Sequence, residues 1–368
     1  GGFFSGWLGL PVGFSGGIAA DAVACGVCGG VFVPLFSSSR IWWALPLGGW
    51  TWTVHGHQIA AVLAILLLTA LHARGLRVGA NVQNAFTVVK VAALVVFALA
   101  GFLVASAVSG TASSTVASAA PAAPTGGWLV GFGLAMVGVL WTYDGWFALT
   151  ITAGEVRNPG RNLPLGLVGG TLVVLAVYVL TQAVYLRALS IPEMQESPRI
   201  GEAAATALFG ATGGQALSLL VLISSFGCLG APVPSGARVS LPMAEDGVFF
   251  RSLAAVHPEF HTPHRSLWAQ GAWSALLALS GTYTQLYTAV VFAGVLFHAA
   301  TGSAIFALRR SRPDAPRPYR AWGYPVVPAI FVLVSLALAI NTLVGRPLES
   351  LLGLGLVAVG IPAYLGWR

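Results

Sequence analysis

Charged residues are scarce in this sequence of 368 residues, and their scarcity excludes a soluble protein. Only 8% are Asp, Glu, Lys or Arg, against about 25% in soluble domains, so charged side chains cannot cover a water-exposed surface. The hydrophobic fraction of 57% and the mean hydropathy of +0.83 exclude intrinsic disorder. Three cysteines are too few for a disulfide framework. We therefore predict an integral membrane protein that crosses the bilayer many times.

Sequence signatures of the common enzyme and metal sites are missing as well. The chain contains no HExxH and no nucleotide-binding P-loop. Cys25 and Cys28 fall inside an apolar run without a second cysteine pair, which favours packing over redox or metal chemistry. His257, His261 and His264 have metal-like spacing but occupy a loop with arginines nearby. We expect no metal, no cofactor and no enzyme activity.

What the sequence has in abundance is long apolar runs. They are rich in Leu, Ala, Val and Gly and lack period-two alternation, which predicts helices and excludes barrel strands. At about 20 apolar residues per span, the length allows about ten spans with short loops. The uncharged segment 109–126 is expected to be a flexible loop, and Ile200–Phe209 a short amphipathic helix. The ten candidate helices lie near 10–36, 57–73, 83–108, 127–154, 164–187, 213–241, 266–281, 283–308, 324–344 and 350–366.

Basic residues are distributed unevenly between alternate loops, and cytoplasmic loops carry the excess of Lys and Arg. One set of loops holds thirteen arginines and the opposite set four, which places Gly1 and Arg368 in the cytoplasm of a multi-pass cell-membrane protein. The net charge of +7 then indicates topology, with anionic lipids and not nucleic acid as partners. The thirteen are Arg74, Arg77, Arg157, Arg161, Arg238, Arg251, Arg265, Arg309, Arg310, Arg312, Arg317, Arg320 and Arg368; the four are Arg40, Arg187, Arg199 and Arg346.

Ionisable residues within spans are costly and usually functional. Asp21, Lys90 and Asp144 are ionisable residues within predicted spans, and His298 is a weaker candidate. Asp144 lies in the middle of the run 127–154, whose 28 residues would extend ~42 Å as a straight helix, against about 30 Å of hydrocarbon. We expect an interrupted helix whose exposed backbone lines a cavity. A tilted continuous helix is the alternative.

Several motifs occur in an order that resembles a known transporter family. They extend over roughly residues 74–330, and their joint order is more specific than any one of them. They resemble the amino acid–polyamine–organocation (APC) transporters, and in particular the bacterial form of the L-type amino acid transporter branch. The motifs are Arg74–Lys90, Leu140-Trp-Thr-Tyr-Asp-Gly-Trp146, Ala153-Gly-Glu-Val-Arg-Asn-Pro159, Arg161-Asn-Leu-Pro164, Ser235-Gly-Ala-Arg238, Met243-Ala-Glu-Asp-Gly247, Thr262-Pro263, Leu308–Asp314, Arg317-Pro-Tyr-Arg320 and Gly323-Tyr-Pro325.

The resemblance implies a LeuT-like fold of twelve helices, in which helices one to five and six to ten form inverted repeats. In that register the ten predicted helices match the family's third to twelfth. We therefore expect the first two helices to be missing, including the broken first helix that grips the substrate carboxylate. A single membrane domain would then hold the rest of the first repeat at 1–108, the second repeat at 127–308 and two peripheral helices at 324–368.

The resemblance also implies a substrate site at the broken helix. Trp141, Thr142, Tyr143, Asp144 and Gly145 would supply backbone carbonyls for the substrate amine and walls for its side chain. Trp141 matches the aromatic gate that closes over bound substrate, and packing between helices is the alternative.

Two further residues are expected to act near this site. Glu155 would pair with a neighbouring arginine, Arg157, Arg161 or Arg238, and latch the inward gate. His298 lies on the helix that borders the side-chain pocket in the family, and it would contact substrate or pack as a hydrogen-bonded histidine.

Lys90 matches a family lysine whose ammonium occupies the region of a sodium site in sodium-coupled relatives. Ser224 and Ser225 would solvate that ammonium. A desolvated lysine can also exchange a proton, while snorkelling to the cytoplasmic interface is the alternative. Asp21 departs from the family, which usually has a small or apolar residue there. It would pair with a basic group, be neutral or face a polar cavity, and a structural role is favoured.

These observations predict a secondary transporter that moves an amino acid by alternating access, as an exchanger or a proton-linked carrier. Since Asp144 is the only fixed acid expected near the pocket, a neutral amino acid is favoured. An inactive fragment or a scaffold paired with another chain is one alternative. An intramembrane enzyme that uses Asp144 with Asp21 or His298 is the other.

Overall fold

The computed structural model describes residues 6–7, 9–47, 50–108, 127–146, 148–151, 153, 156–197, 199–317 and 320–367. These described residues form a helical bundle with one small β-hairpin, which confirms the predicted all-α membrane class. Its first half comprises a π-helical turn Gly9–Phe14, α1 (Ser15–Phe32), β1 (Ile41–Leu47), β2 (Trp50–His55), α2 (Gly56–Ala73), α3 (Leu76–Val108), α4 (Gly127–Thr142) and α5 (Ala148–Ile151). Its second half comprises α6 (Pro159–Ala188), α7 (Ile191–Glu196), α8 (Ile200–Leu229), α9 (Pro232–Glu245), α10 (His264–Ser280), α11 (Tyr283–Ser311), α12 (Val326–Gly345) and α13 (Pro347–Trp367).

Each of the ten predicted apolar runs contains a helix, and the multi-pass prediction is confirmed. Within the described residues, seven helical stretches are long and apolar enough to cross a membrane. Gly127–Thr142 and Pro347–Pro362 are shorter apolar helices. The bundle is therefore a polytopic membrane domain, although fewer of its helices meet the length criterion than the ten that the runs predicted.

The run 213–241 was predicted as one helix and is two. Helix α8 ends at Leu229 and α9 begins at Pro232, because a proline lacks the N–H that a continuing helix needs. The predicted short helix Ile200–Phe209 is present as the first part of α8, which continues beyond a break at Gly210 with φ of 75°. A positive φ of this size favours glycine, so this residue fixes the break.

The hairpin β1–β2 was not predicted. The two strands pair antiparallel on either side of a Gly-Gly dipeptide, a turn signal that the search for apolar runs passed over. Trp52 anchors the hairpin by donating from Nε1 to the Leu279 carbonyl at 3.1 Å. Gln58 donates to the Ala278 carbonyl at 3.1 Å and so holds the start of α2 at the same end of α10.

Side-chain contacts agree with the predicted pairing of loops by membrane side. The Thr262 hydroxyl donates to the Ala73 carbonyl at 2.7 Å, which joins the loop before α10 to the end of α2. Both segments belong to the arginine-rich set. The hairpin lies at the opposite end of α10, as alternation of the loops requires. Gly1 and Arg368 lie outside the described residues, so their cytoplasmic location stays a prediction.

Helix α1 is the centre of the bundle and packs against α2, α8, α10 and α11. Its buried side chains are small or β-branched, which lets neighbouring backbones approach closely. Gly26 shows how tight this packing is, because a Cβ atom there would collide with the backbone carbonyl of His57 on α2. At Gly29, one turn later, the nearest atom to a Cβ would be Leu222 Cδ1 at an ordinary 3.7 Å.

We predict that Gly26→Ala destabilises the bundle, because the α1–α2 crossing must open to admit one methyl group. Overpacking of this kind costs about 1–3 kcal/mol, and the rigid backbone partner places the cost at the upper end. Gly29→Ala is the matched control and should be neutral or slightly stabilising, since alanine is the better helix former. Thermal unfolding in detergent measures both. Equal midpoints for the two variants would contradict the packing argument.

Candidate functional site

The helix that carries Asp144 is interrupted, as the sequence predicted. Helix α4 ends at Thr142, a turn follows, and α5 begins at Ala148. Gly145 has φ of 92° within this turn, a conformation that glycine adopts without strain. The interruption therefore arises from the residue beside Asp144, and the alternative of a continuous tilted helix is wrong.

The backbone at the break is held by specific hydrogen bonds. The Asp144 amide donates to the Trp141 carbonyl at 3.1 Å. The Tyr178 hydroxyl of α6 donates to the Thr142 carbonyl at 3.2 Å. The Thr142 hydroxyl turns back to the Val139 carbonyl at 2.8 Å. The break is thus braced from two sides, which keeps its polar groups at a fixed position in the bundle.

The break opens on a cavity of about 770 Å³. Its walls come from the start of α1, the middle of α3, the α4–α5 break, α6, the α8–α9 break and the first residue of α11. A volume of this size suits a small organic ligand. All five residues predicted at the broken helix line it, namely Trp141, Thr142, Tyr143, Asp144 and Gly145.

Three charged side chains are among the described residues that line the cavity: Asp21 of α1, Lys90 of α3 and Asp144 of the break. The ionisable residues that the sequence placed within spans therefore share one space, although they come from three separate helical segments.

Trp141 forms an aromatic wall of the cavity with two tyrosines of α11. Its ring centroid lies 6.3 Å from that of Tyr283 and 5.8 Å from that of Tyr287. Its Cη2 atom would be 4.0 Å from a Cβ placed on Gly17 of α1. The indole thus reaches from the broken helix across to α1, which is the placement that a gate or a side-chain wall requires.

Lys90 lies on the cavity wall and donates from Nζ to Cys228 Sγ at 3.3 Å. Of its predicted partners, Ser224 lines the same cavity, one turn before Cys228 on α8. Ser225 does not belong to the described cavity lining. The thiol partner was missed, and the four-residue spacing from Ser224 was the signal that could have found it.

His298 contacts a residue of the cavity lining and does not itself belong to the described lining. Its ring packs against Trp146, with centroids 5.5 Å apart, and against Phe331 at 6.4 Å. Trp146 lines the cavity, whereas His298 does not belong to the described lining. A direct contact between His298 and substrate stays a prediction. Glu155, the predicted latch, lies outside the described residues.

Besides Cys228, sequence reasoning missed two tyrosines of the site. Asp21, for which a polar cavity was one of the alternatives, lines the cavity. Tyr178 braces the break, and Tyr283 extends the aromatic wall. Neither tyrosine carries a sequence signal beyond lying in an apolar run, because their roles depend on how α6 and α11 pack against α4. Among the described residues, no three His, Cys, Asp or Glu side chains are grouped as a metal site.

Comparison with known proteins shows which family the chain resembles. The profile of a family described as amino acid permease matches residues 2–351. The chain is 30% identical to the serine/threonine exchanger SteT of Bacillus subtilis (strain 168) over 322 residues, covering 84% of this chain and 69% of that protein.

Two further relatives match over shorter parts of their own length. The b(0,+)-type amino acid transporter 1 of Mus musculus is 26% identical over 293 residues, 79% of this chain and 58% of that protein. The branched-chain amino acid permease BcaP of Bacillus subtilis (strain 168) is 27% identical over 213 residues, 55% of this chain and 44% of that protein. Together with the interrupted helix and its cavity, the match over residues 2–351 shows that this chain belongs to the amino acid permease family.

Proposed function

We propose that this chain moves an amino acid across the membrane by alternating access, as an exchanger or a proton-linked carrier. The observation that supports this most directly is the interrupted helix, which brings backbone polar groups and Asp144 to a cavity inside an apolar bundle. Non-helical backbone at membrane depth is tolerated where it lines a cavity, and discontinuous helices commonly form substrate sites in transporters. The relatives named as exchangers and permeases act on amino acids.

Each part of the cavity is given a role in transport. The broken helix at Trp141–Gly145 receives the substrate amine, and the Trp141 indole closes over the bound molecule. Lys90 supplies a fixed cation on the α3 wall, beside Cys228 and Ser224 of α8. His298 acts through Trp146, whose ring it contacts. The inward latch is assigned to Glu155 on sequence alone.

Asp21 and Asp144 share a cavity, which an intramembrane enzyme would also require. The family is one of permeases, however, and the relatives are transporters and exchangers. Two carboxylates beside an ammonium in such a cavity fit the recognition of a charged substrate without any bond being cleaved. Transport therefore accounts for the pair.

The argument that favoured a neutral substrate no longer holds. It assumed that Asp144 was the only fixed acid near the pocket, and this is wrong because Asp21 lines the same cavity. The class of amino acid is consequently decided by the cavity as a whole.

Counterflow in proteoliposomes tests the proposed function. The purified chain, reconstituted with an unlabelled amino acid inside, should accumulate labelled amino acid from outside, with a panel of neutral, basic and acidic side chains as competitors. Protein-free liposomes are the control for leakage. Absence of counterflow with every member of the panel, together with absence of binding in detergent, would contradict transport and favour the inactive fragment or scaffold.

A further inference from the structure

Asp21 gives the cavity a second carboxylate, which the broken helix does not supply. We propose that Asp21 determines specificity by binding the cationic side chain of a basic amino acid while the α-amino group is held at the break. The inference rests on the proposed transport of amino acids through this cavity. It assigns the substrate class to those with an ammonium or guanidinium side chain.

The placement of Asp21 on α1 favours contact with a ligand. Gly17 and Asp21 are four residues apart on α1, so they lie on one stripe of that helix. Both line the cavity, as does Gly13 of the preceding π-helical turn. The two glycines present no side chain, which leaves the Asp21 carboxylate as the polar group of that stripe. The edge of Trp141 lies against Gly17 and so stands beside the same stripe.

Among the described residues, Asp21 also has no hydrogen-bond or ion-pair partner. Structural carboxylates inside membrane proteins are normally satisfied by a neighbouring donor. A carboxylate that opens on a cavity instead of a donor is available for a cation that arrives with the substrate.

The titratable groups that line the cavity favour a cationic ligand. Two carboxylates, Asp21 and Asp144, oppose the single ammonium of Lys90 among the described lining residues. Uncompensated charge is costly in a space surrounded by apolar helices. A zwitterionic neutral amino acid adds no net charge to the cavity. An amino acid with a basic side chain adds one positive charge, which balances the two carboxylates and the ammonium.

The aromatic wall suits the same ligand. Trp141 and Tyr283 both line the cavity, with ring centroids 6.3 Å apart at an interplanar angle of 74°. Asp21 lines the same cavity as these two rings. Aromatic faces attract ammonium and guanidinium groups, and Trp is the strongest of them. A cationic side chain at Asp21 would thus meet an acid and aromatic rings together.

Counterflow with labelled L-lysine and labelled L-serine tests the assignment in the full chain. The wild-type protein should prefer lysine, and arginine and ornithine should compete for its uptake. Asp21→Asn keeps the shape of the side chain but removes its charge, so we expect KM for lysine to rise about 10- to 50-fold. KM for serine should stay within about two-fold, and Asp21→Glu should restore lysine uptake in part.

Three controls separate this role from a general loss of charge or fold. Asp246→Asn removes an acid from the C-cap of α9, away from the described cavity lining, and should leave both substrates unaffected. Repeating the assay with potassium in place of sodium separates the cationic side chain from an inorganic cation bound at Asp21. The thermal midpoint of each variant in detergent reports whether the bundle is intact.

The outcomes distinguish the two levels of the proposal. Counterflow of serine by a protein that ignores lysine, arginine and ornithine would overturn the inference and leave transport standing. An equal loss of serine and lysine counterflow in Asp21→Asn would also overturn the inference. So would a variant whose only change is that its counterflow no longer depends on sodium. A wild-type chain that neither exchanges nor binds any amino acid would instead overturn the proposed function itself.

Discussion

Replacing Trp141 by alanine is expected to lower amino acid counterflow in proteoliposomes by about 100-fold or more. The indole packs on Tyr283 and Tyr287 and reaches Gly17 on α1, so it connects the broken helix to the centre of the bundle. An alanine would leave the cavity open on that side and admit water beside the substrate. A transporter that cannot occlude its substrate loses tight coupling of influx to efflux.

Trp141→Phe is the matched control for this prediction. Phenylalanine keeps an aromatic face against Tyr287, so counterflow should fall only about two- to five-fold. Because Trp141 also packs on two buried clusters of the bundle, the thermal midpoint of Trp141→Ala must be measured alongside. Counterflow at the wild-type rate in a folded Trp141→Ala protein would refute the gate and leave the indole as a packing residue.

The interrupted helix could be predicted because its cause is local. Gly145 follows Asp144 in the middle of a run that is too long for one span, and glycine adopts the positive φ of the break. The break between α8 and α9 has an equally local cause in Pro232, yet it was missed. Prolines are tolerated inside membrane helices, so an apolar run that contains one gives no clear sign of where the helix ends.

The composition of the site was harder to predict than its position. The sequence placed Asp21, Lys90 and Asp144 within spans, but it could not show that they face one cavity, because α1 is apolar around most of its circumference. Cys228 has the same difficulty, since its contact with Lys90 depends on how α3 packs against α8. Local sequence thus determines where a helix bends, whereas tertiary packing determines which side chains meet.

Removal of the Lys90 charge is the second large effect that we expect. Lys90→Ala should lower counterflow by about 100-fold, because the cavity would retain Asp21 and Asp144 without a fixed positive charge to offset them. The measurement is the same counterflow assay, with lysine and serine as separate substrates. Counterflow of both substrates should fall, because Lys90 lies on the α3 wall and is not proposed to contact the substrate side chain.

Two further variants decide between a fixed cation and a lysine that merely snorkels to the interface. Lys90→Arg keeps the charge, but its planar guanidinium is wider and differently hydrated than an ammonium. If Lys90 acts within the cavity, Lys90→Arg should remain strongly impaired, because the space beside Cys228 is set by the 3.3 Å contact between Nζ and Sγ. If the lysine only snorkels, arginine at this position should support full counterflow, since both side chains reach the headgroups.

Cys228→Ser, which preserves an acceptor for the ammonium, should keep counterflow within about three-fold of wild type. Full counterflow in Lys90→Arg would therefore reject the fixed-cation role, and a large loss in Cys228→Ser would show that the sulfur contact, and not the charge, is what the cavity needs.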